Sequence, residues 1–251
     1  MIVTAEQSHQ HSLETLNLLY EHDDFMESIG TLVDLGCGYG HDLKWWATRT
    51  TREDTPRPLK IRCTGVDTNI NYIDRLKMSN VSYQNVSFEN GVTTYKDKKF
   101  DLLWCHNSFQ YALDPIGTLT HWRDIAEDNA MLTIIVPQTM NMGIRSFEAY
   151  QENGSYYHYS LVNLIHMLAV TGWDCHNGFF LKRKGDPWLH AVAYKSPIAP
   201  MDPRTTTWYE LSDKKLIPAS AEASVQKHGY LKQQDLVLPW LDKSLMVYNQ
   251  Q

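Results

Sequence analysis

The sequence of 251 residues has no run of about 18 apolar residues, only four cysteines and no excess of basic charge. The first absence argues against a transmembrane helix, and the polar, His-rich N-terminus argues against a secretory signal. The net charge of −6 argues against a broad nucleic-acid-binding face, which requires clustered Lys and Arg. With 43% hydrophobic residues, the composition is that of a soluble globular protein.

The cysteines are dispersed and contain no C-x-x-C pair, so we expect no zinc site and no other metal site. Buried free thiols in a reducing cytoplasm are the simpler interpretation. The four positions are Cys37, Cys63, Cys105 and Cys175.

Apolar runs alternate with helical patterns along most of the chain. Strands are predicted at 31–35, 61–66, 81–88, 100–105, 131–136, 178–182 and 189–194. Helices are predicted at 8–28, from His41 onward, and at 71–78, 115–127 and 159–170. The alternation predicts an α/β fold, with a doubly wound, mostly parallel seven-stranded sheet and one antiparallel strand. We expect a domain at 1–195 and a Pro-rich C-terminal extension at 196–251.

The segment Val33-Asp-Leu-Gly-Cys-Gly-Tyr-Gly40 reads as a strand, a tight glycine turn and a helix start. Such a turn brings backbone close to a ligand and presents free N–H groups of the helix start to it. The turn therefore predicts a nucleoside-containing cofactor. Its G-x-G-x-G spacing differs from the G-x-G-x-x-G of dinucleotide sites. Asp34 would repel a pyrophosphate but suits a cationic ammonium group.

Acidic residues also follow the next two predicted strands. Asp67 at the end of the second strand is placed to accept the hydroxyls of a ribose. The alternative is a helix N-cap, since Asp67, Thr68 and Asn69 are all good capping residues. Glu89 follows the third strand.

Taken together, these motifs resemble the class I S-adenosylmethionine-dependent methyltransferases, within the group that acts on small molecules. The segments Phe100–Tyr111 and Tyr157–Ser160 are similar to later motifs of that family. The resemblance implies S-adenosylmethionine as cofactor. The expected cofactor-binding residues are Asp34, Gly36, Cys37, Gly38, Gly40, Asp67, Thr68, Glu89, Asn90, His106 and Asn107.

Methyl transfer from a sulfonium mainly requires alignment, and a general base is needed only if the acceptor holds a proton. His106, His158 and Tyr157 are the candidate catalytic residues. For His158, a loop histidine that binds backbone is an equally good interpretation. The fourth strand lacks the Asp/Asn-Pro-Pro-aromatic motif of base-methylating enzymes, which argues against a nucleic-acid acceptor.

The leading hypothesis is transfer of a methyl group, by in-line displacement, to a small molecule or an accessible side chain. One alternative is a cofactor-binding or assembly protein that has this fold and no turnover. Aminopropyl transfer is a third, although His106 and Asn107 stand where such enzymes place an acid pair. The extension at 196–251 is expected to pack on the domain or on a partner, including a second copy of the chain.

Overall fold

The computed structural model describes residues 5–22, 28–50, 58–69, 77–93, 99–137, 157–182 and 188–231. The strands are β1 (Thr31–Leu35), β2 (Arg62–Val66), β3 (Val81–Gln84), β4 (Phe100–His106), β5 (Ala126–Pro137), β6 (Trp173–Lys182) and β7 (Trp188–Lys195). The helices are α1 (Ala5–His22), α2 (His41–Ala47), α3 (Pro115–Ile125), α4 (Leu161–Val170), α5 (Trp208–Asp213) and α6 (Ala219–His228).

All seven strands form one sheet in the order β3-β2-β1-β4-β5-β7-β6. Strands β1 to β5 pair in parallel, whereas β7 runs antiparallel to both of its neighbours. The predicted fold class is therefore confirmed. The winding direction reverses between β1 and β4, so the carboxyl ends of these strands border the crevice where ligands bind in such sheets.

Strand register places several polar side chains on one face of the sheet. Asp34 is in register with Trp104, and His106, two residues further on, shares the face of Trp104 because side chains alternate along a strand. His190 lies on the same face, through its register with Ile135 opposite His106. This face is otherwise packed with buried apolar side chains.

Helix α1 covers this face. Its Thr15 Oγ1 lies 2.7 Å from His190 Nδ1, and its Tyr20 hydroxyl donates to the carbonyl of Thr50. Leu16 and Leu19 of α1 are buried in the core. The helix is thereby fixed over the carboxyl ends of the central strands.

Several element boundaries differ from the sequence prediction. Strand β5 begins at Ala126, so the helix predicted for 115–127 ends two residues earlier. Strand β3 ends at Gln84 rather than at residue 88, and β6 begins at Trp173 rather than at residue 178. Helix α1 spans Ala5–His22 and Ser28 lies in a turn, while residues 23–27 of the predicted helix lie outside the described residues. Most of the helix predicted at 71–78 lies outside the described residues, and residues 77 and 78 are not helical.

Residues 196–231 pack on the same domain. Arg123 donates to the carbonyl of Ile198, and Cys175 N–H donates to the carbonyl of Leu216. The hydroxyl of Ser196 donates to the carbonyl of Gly172. The contact with Cys175 places this segment against the edge strand β6. Residues 232–251 lie outside the described part. A contact between two copies of the chain therefore stays a prediction.

No helix among the described residues is long and apolar enough to cross a membrane.

Candidate active site

A cavity of about 240 Å³ lies at the carboxyl ends of β1 and β4, where the fold predicts a ligand. Its walls come from the glycine turn, the first turn of α2, the end of β4 and helix α1. The lining residues are His9, Asp34, Gly36, Cys37, Gly38, Tyr39, His41, Asp42, His106 and Asn107.

The glycines of the turn serve two different purposes. Gly36 has a φ of +79°, and a Cβ at this position would lie 2.4 Å from the Cβ of Ser108. Gly38 has a φ of +49°, and a Cβ there would meet no atom within 4 Å. Gly36 is thus required by packing inside the protein, whereas Gly38 leaves backbone open to the cavity.

Four N–H groups of the glycine turn, which precede the helix start, are already bonded within the protein. Gly36 and Cys37 N–H both donate to the carbonyl of Val66, at 2.8 and 3.0 Å. Gly38 N–H donates to Asp67 Oδ2 at 2.9 Å, and Gly40 N–H donates to the carbonyl of Cys37. The bonds to Val66 and Asp67 tie the turn to the end of β2, which lies beside the end of β1, and the bond to Cys37 closes the turn itself. The turn therefore contributes shape rather than these donors.

Asp34, in β1 just before the turn, has one carboxylate oxygen that the protein does not satisfy. It is only 2% exposed, and its Oδ2 atom is buried with no hydrogen-bond partner among the described residues. Burial raises the pKa of this carboxyl well above its usual range, and the nearby negative charges of Asp42 and Asp67 raise it further. A buried, unpartnered carboxylate oxygen beside a cavity fits the ammonium group of a methionine moiety.

Asp67 lies at the end of β2, as predicted, and each of its carboxylate oxygens accepts one backbone N–H. Oδ2 accepts from Gly38 and Oδ1 accepts from Asn69, both at 2.9 Å. Each oxygen keeps a further lone pair that can accept from a ligand hydroxyl. Thr68, beside it, is exposed. Asp67 therefore fixes the turn and remains able to bind a ribose.

Glu89 lies farther along the same edge of the sheet, outside the cavity lining. Its Oε2 accepts the N–H of Leu113 at 2.9 Å, which ties the loop after β3 to the segment before α3. Asn90 is exposed. The predicted contact of Glu89 and Asn90 with the cofactor stays a prediction.

His106 and Asn107 reach the cavity at the end of β4, as predicted. His106 Nδ1 lies 2.9 Å from Asp42 Oδ2, while His106 Nε2 is buried with no hydrogen-bond partner among the described residues. The ring of Trp188 stands edge-on to the imidazole, with 5.8 Å between ring centroids. Asn107 has a φ of +55°, and its side-chain oxygen accepts from Gln110 Nε2 at 2.7 Å. Both side chains are therefore held by neighbours.

The other two catalytic candidates lie outside the cavity lining. Tyr157 N–H donates to the carbonyl of Gln110, and its hydroxyl donates to the carbonyl of Leu113. His158 is half-buried, and burial lowers its pKa. The structure thus groups His106 with the glycine turn, whereas Tyr157 and His158 do not line the cavity. Residues 138–156, which precede Tyr157 in the chain, lie outside the described residues.

Sequence reasoning missed four lining residues, His9, Tyr39, His41 and Asp42. The rings of His9 and His41 stack with their centroids 5.7 Å apart, and the ring centroids of Tyr39 and His41 are 6.3 Å apart. Asp42 is 6% exposed and binds His9, Ser12, Trp104 and His106. An acid in the first turn of a helix usually interacts with the helix dipole, so its position gave no distinct signal. His9 comes from a helix that no motif connects with the site.

The sequence and the fold were compared with known protein families and solved structures, and the matches are consistent with this site. A family model described as a methyltransferase domain matches residues 13–177. No curated protein matches the sequence. A similar solved structure is the N-methyltransferase NodS from Bradyrhizobium japonicum, at 13% identity and a TM-score of 0.53, with 76% of this chain and 98% of that chain covered.

Two further similar structures contain a bound ligand. A Haemonchus contortus N-methyltransferase, in complex with phosphomonomethylethanolamine and S-adenosylhomocysteine, has 14% identity and a TM-score of 0.58. That match covers 73% of this chain and 53% of that chain. A Burkholderia thailandensis 1,6-didemethyltoxoflavin-N1-methyltransferase has 13% identity, a TM-score of 0.50 and coverage of 75% and 85%. At these identities the likeness establishes the fold.

The chain belongs to the methyltransferase-domain family, because the family model spans well over half of its length. It is an enzyme of the S-adenosylmethionine-dependent class, and its cofactor is S-adenosylmethionine.

Proposed function

We propose that this enzyme methylates a small molecule at an oxygen or nitrogen that carries a dissociable proton, and that His106 accepts this proton. The observation that carries the proposal is His106 Nε2, a buried nitrogen without a hydrogen-bond partner among the described residues, on a side chain that lines the cavity. Unpartnered buried polar atoms are rare in folded proteins, and a catalytic role is one of the reasons for which they are kept. A neutral imidazole can accept one proton at such a nitrogen.

The glycine turn, Asp34 and Asp67 are assigned to the cofactor. Asp34 Oδ2 would bind the ammonium group, Asp67 the ribose hydroxyls, and the open backbone at Gly38 would admit the methionine portion. When bound, S-adenosylmethionine supplies a methyl group on a positively charged sulfur, already activated for displacement. The acid pair suits a cationic ligand, since opposite charges attract strongly in a partly buried site.

The role of His106 is to remove the proton of the acceptor. As the acceptor is methylated, a bond forms between that proton and His106 Nε2, and the electron pair of the broken bond stays on the acceptor atom. The resulting imidazolium is stabilised by Asp42, whose Oδ2 lies 2.9 Å from Nδ1. A positioned base of this kind contributes roughly 10²- to 10⁴-fold to a rate.

A small acceptor is favoured over nucleic acid for two reasons. The net charge is −6, and the segment after β4 reads His106-Asn-Ser-Phe109 instead of a base-flipping motif. The B. thailandensis neighbour was solved with a small molecule, 1,6-didemethyltoxoflavin. The family match counts against the alternative of a cofactor-binding protein without turnover. We also propose a cytoplasmic location, because all four cysteines are free and buried.

The test combines calorimetric binding of S-adenosylmethionine and S-adenosylhomocysteine with a methyl-transfer screen over small hydroxyl- and amine-bearing molecules. H106Q is expected to keep the wild-type Kd for both cofactor forms and to lose turnover by roughly 10²-fold or more. H121Q is the matched control, since His121 hydrogen-bonds to the carbonyl of Val92 away from the cavity. Cofactor binding without transfer to any acceptor would contradict the proposal, as would full activity of H106Q.

A further inference from the structure

One buried carboxylate joins helix α1 to the end of β4. Asp42 Oδ1 lies 2.5 Å from His9 Nδ1 and accepts from the Ser12 hydroxyl at 2.7 Å. Asp42 Oδ2 accepts from Trp104 Nε1 and lies 2.9 Å from His106 Nδ1. Every one of these side chains is at least half-buried, so the contacts are shielded from water.

The donors around Asp42 determine its charge. Burial alone acts to raise the pKa of this carboxyl, but hydrogen bonds from His106 and His9 outweigh burial and hold the pKa below its usual range. Trp104 can only donate, which is consistent with an acceptor at Oδ2. An ionised carboxylate has four lone-pair positions and no proton to give. Four potential donors therefore meet four acceptor positions.

This charge determines where the protons of His106 lie. Because ionised Asp42 can only accept, the hydrogen between the two residues belongs to His106 Nδ1. In the neutral imidazole the lone pair then lies on Nε2, the buried nitrogen without a partner among the described residues. The opposite tautomer would put two lone pairs, one on Nδ1 and one on Asp42 Oδ2, against each other.

We propose that Asp42 is a positioning residue, which holds His106 as the tautomer with its proton on Nδ1, and that α1 completes the arrangement through Ser12 and His9. The carboxylate selects the nitrogen that can take a proton and stabilises the cation that results. The catalytic use of that nitrogen rests on the proposed function, whereas the tautomer itself does not.

Helix α1 takes part because it supplies the donors to the other oxygen of Asp42. Without Ser12 and His9, Oδ1 would lose these two contacts and the carboxylate would be easier to protonate. The same helix is held to the sheet farther along by the Thr15–His190 contact. Docking of α1 and the tautomer of His106 are therefore linked through one side chain.

The experiment is a long-range ¹H–¹⁵N spectrum of the wild-type protein with ¹⁵N-labelled histidine, assigned with H106Q. The expected result is a protonated Nδ1 and an unprotonated Nε2 for His106. In D42N we expect His106 to move toward the tautomer with its proton on Nε2, because the carboxamide can donate to Nδ1. D101N is the control, since Asp101 accepts from the N–H groups of Gly30 and Thr31 and does not contact His106, so this change should leave the tautomer unchanged.

The kinetic readout separates positioning from cofactor binding. D42N is expected to lower kcat by roughly 10²-fold or more while the Kd for S-adenosylmethionine stays at the wild-type value. A wild-type His106 protonated on Nε2 overturns the proposal, and this measurement stands even if D42N does not fold. If the wild-type tautomer is as expected but no acceptor is methylated, the proposed function fails and the positioning by Asp42 holds.

Discussion

The glycine turn is flanked by two aspartates whose surroundings differ sharply although their burial is similar. Asp34 lies near the carboxyl end of β1 and is 2% exposed. Asp42 lies in the first turn of α2 and is 6% exposed. Both line the same cavity. Their pKa values nevertheless move in opposite directions, upward for Asp34 and downward for Asp42.

The opposite pKa shifts of the two aspartates come from their different hydrogen-bond donors rather than from a difference in burial. The carboxyl of Asp34 accepts one backbone N–H, that of Leu43, and its Oδ2 has no partner among the described residues. The negative charges of Asp42 and Asp67 further disfavour its ionised form. Asp42 has donors at both oxygens. Burial penalises a charge unless donors replace the lost water, so Asp42 is stable as an anion and Asp34 is not. A bound cation would stabilise the ionised form of Asp34, which the protein alone does not, whereas Asp42 is already stabilised by donors of the protein.

Removing the charge of Asp42 should have the largest effect on stability. D42N is expected to lower the free energy of unfolding at pH 7 by about 3 to 5 kcal/mol, because two histidines, a serine and an indole lose a buried anionic acceptor. Urea denaturation followed by circular dichroism measures this change. D34N is the matched control, with the same chemical change eight residues away. An equal loss in both variants would contradict the contrast.

Removing the charge of Asp34 should instead weaken cofactor binding. D34N is expected to raise the Kd for S-adenosylmethionine roughly 10- to 100-fold, the value of about one charge-assisted hydrogen bond. S-adenosylhomocysteine should lose the same factor, because both molecules carry the ammonium group. Calorimetry measures both constants.

The control for this binding loss is D101N. Asp101 accepts from the N–H groups of Gly30 and Thr31 at the amino ends of β1 and β4, away from the cavity. Its replacement should leave the Kd unchanged. A loss confined to S-adenosylmethionine would show that Asp34 responds to the sulfur charge rather than to the ammonium.

The pH dependence of stability should separate the two aspartates again. The pKa of Asp34 in the folded state lies above its ordinary value of 3.8, so the cost of this group is absent below pH 3.8 and grows as pH rises toward the folded pKa. D34N removes this cost. The stability of D34N relative to wild type should therefore increase with pH, by at most about 1.4 kcal/mol per unit. Urea titrations of both proteins between pH 4 and pH 8 test this slope, and a constant difference contradicts it.

The sequence predicted the sheet well where strands are apolar and poorly where they are not. Strand β1 was predicted to the residue, because its apolar run is bounded by glycines. The start of β5 was missed because Glu127, Asp128 and Asn129 are exposed and polar. Strand β6 was predicted too short because polar residues precede a register shift between Asp174 and Phe179. The exposed residues at the start of β5 have no periodicity that distinguishes them from a loop. The start of β6 does alternate, since buried Trp173 and Cys175 flank the partly exposed Asp174, but the alternation is too short to predict a strand by itself.

The site was predictable to the extent that it is local in sequence. Asp34, Gly36, Gly38 and His106 belong to short motifs at strand ends, and all four line the cavity. The role of Asp42 was not predictable, because its partners lie 33, 30, 62 and 64 residues away. Only the packing of α1 and β4 around α2 brings them together.

A single hydroxyl of α1 provides the finest test of this contrast. S12A removes one donor to Asp42 and T15V removes the hydroxyl that contacts His190, so each should cost about 1 kcal/mol at pH 7. Only S12A should also raise the pKa of Asp42 toward 3.8. The stability that depends on ionised Asp42 is present above pH 3.8 and is lost as pH falls toward the lower folded pKa. Because S12A raises that folded pKa, its loss of stability in acid should be complete at a higher pH than in the wild type. Urea titrations between pH 2 and pH 5 measure the shift. Identical acid limbs for S12A and T15V would mean that the Ser12 donor does not help to keep Asp42 ionised.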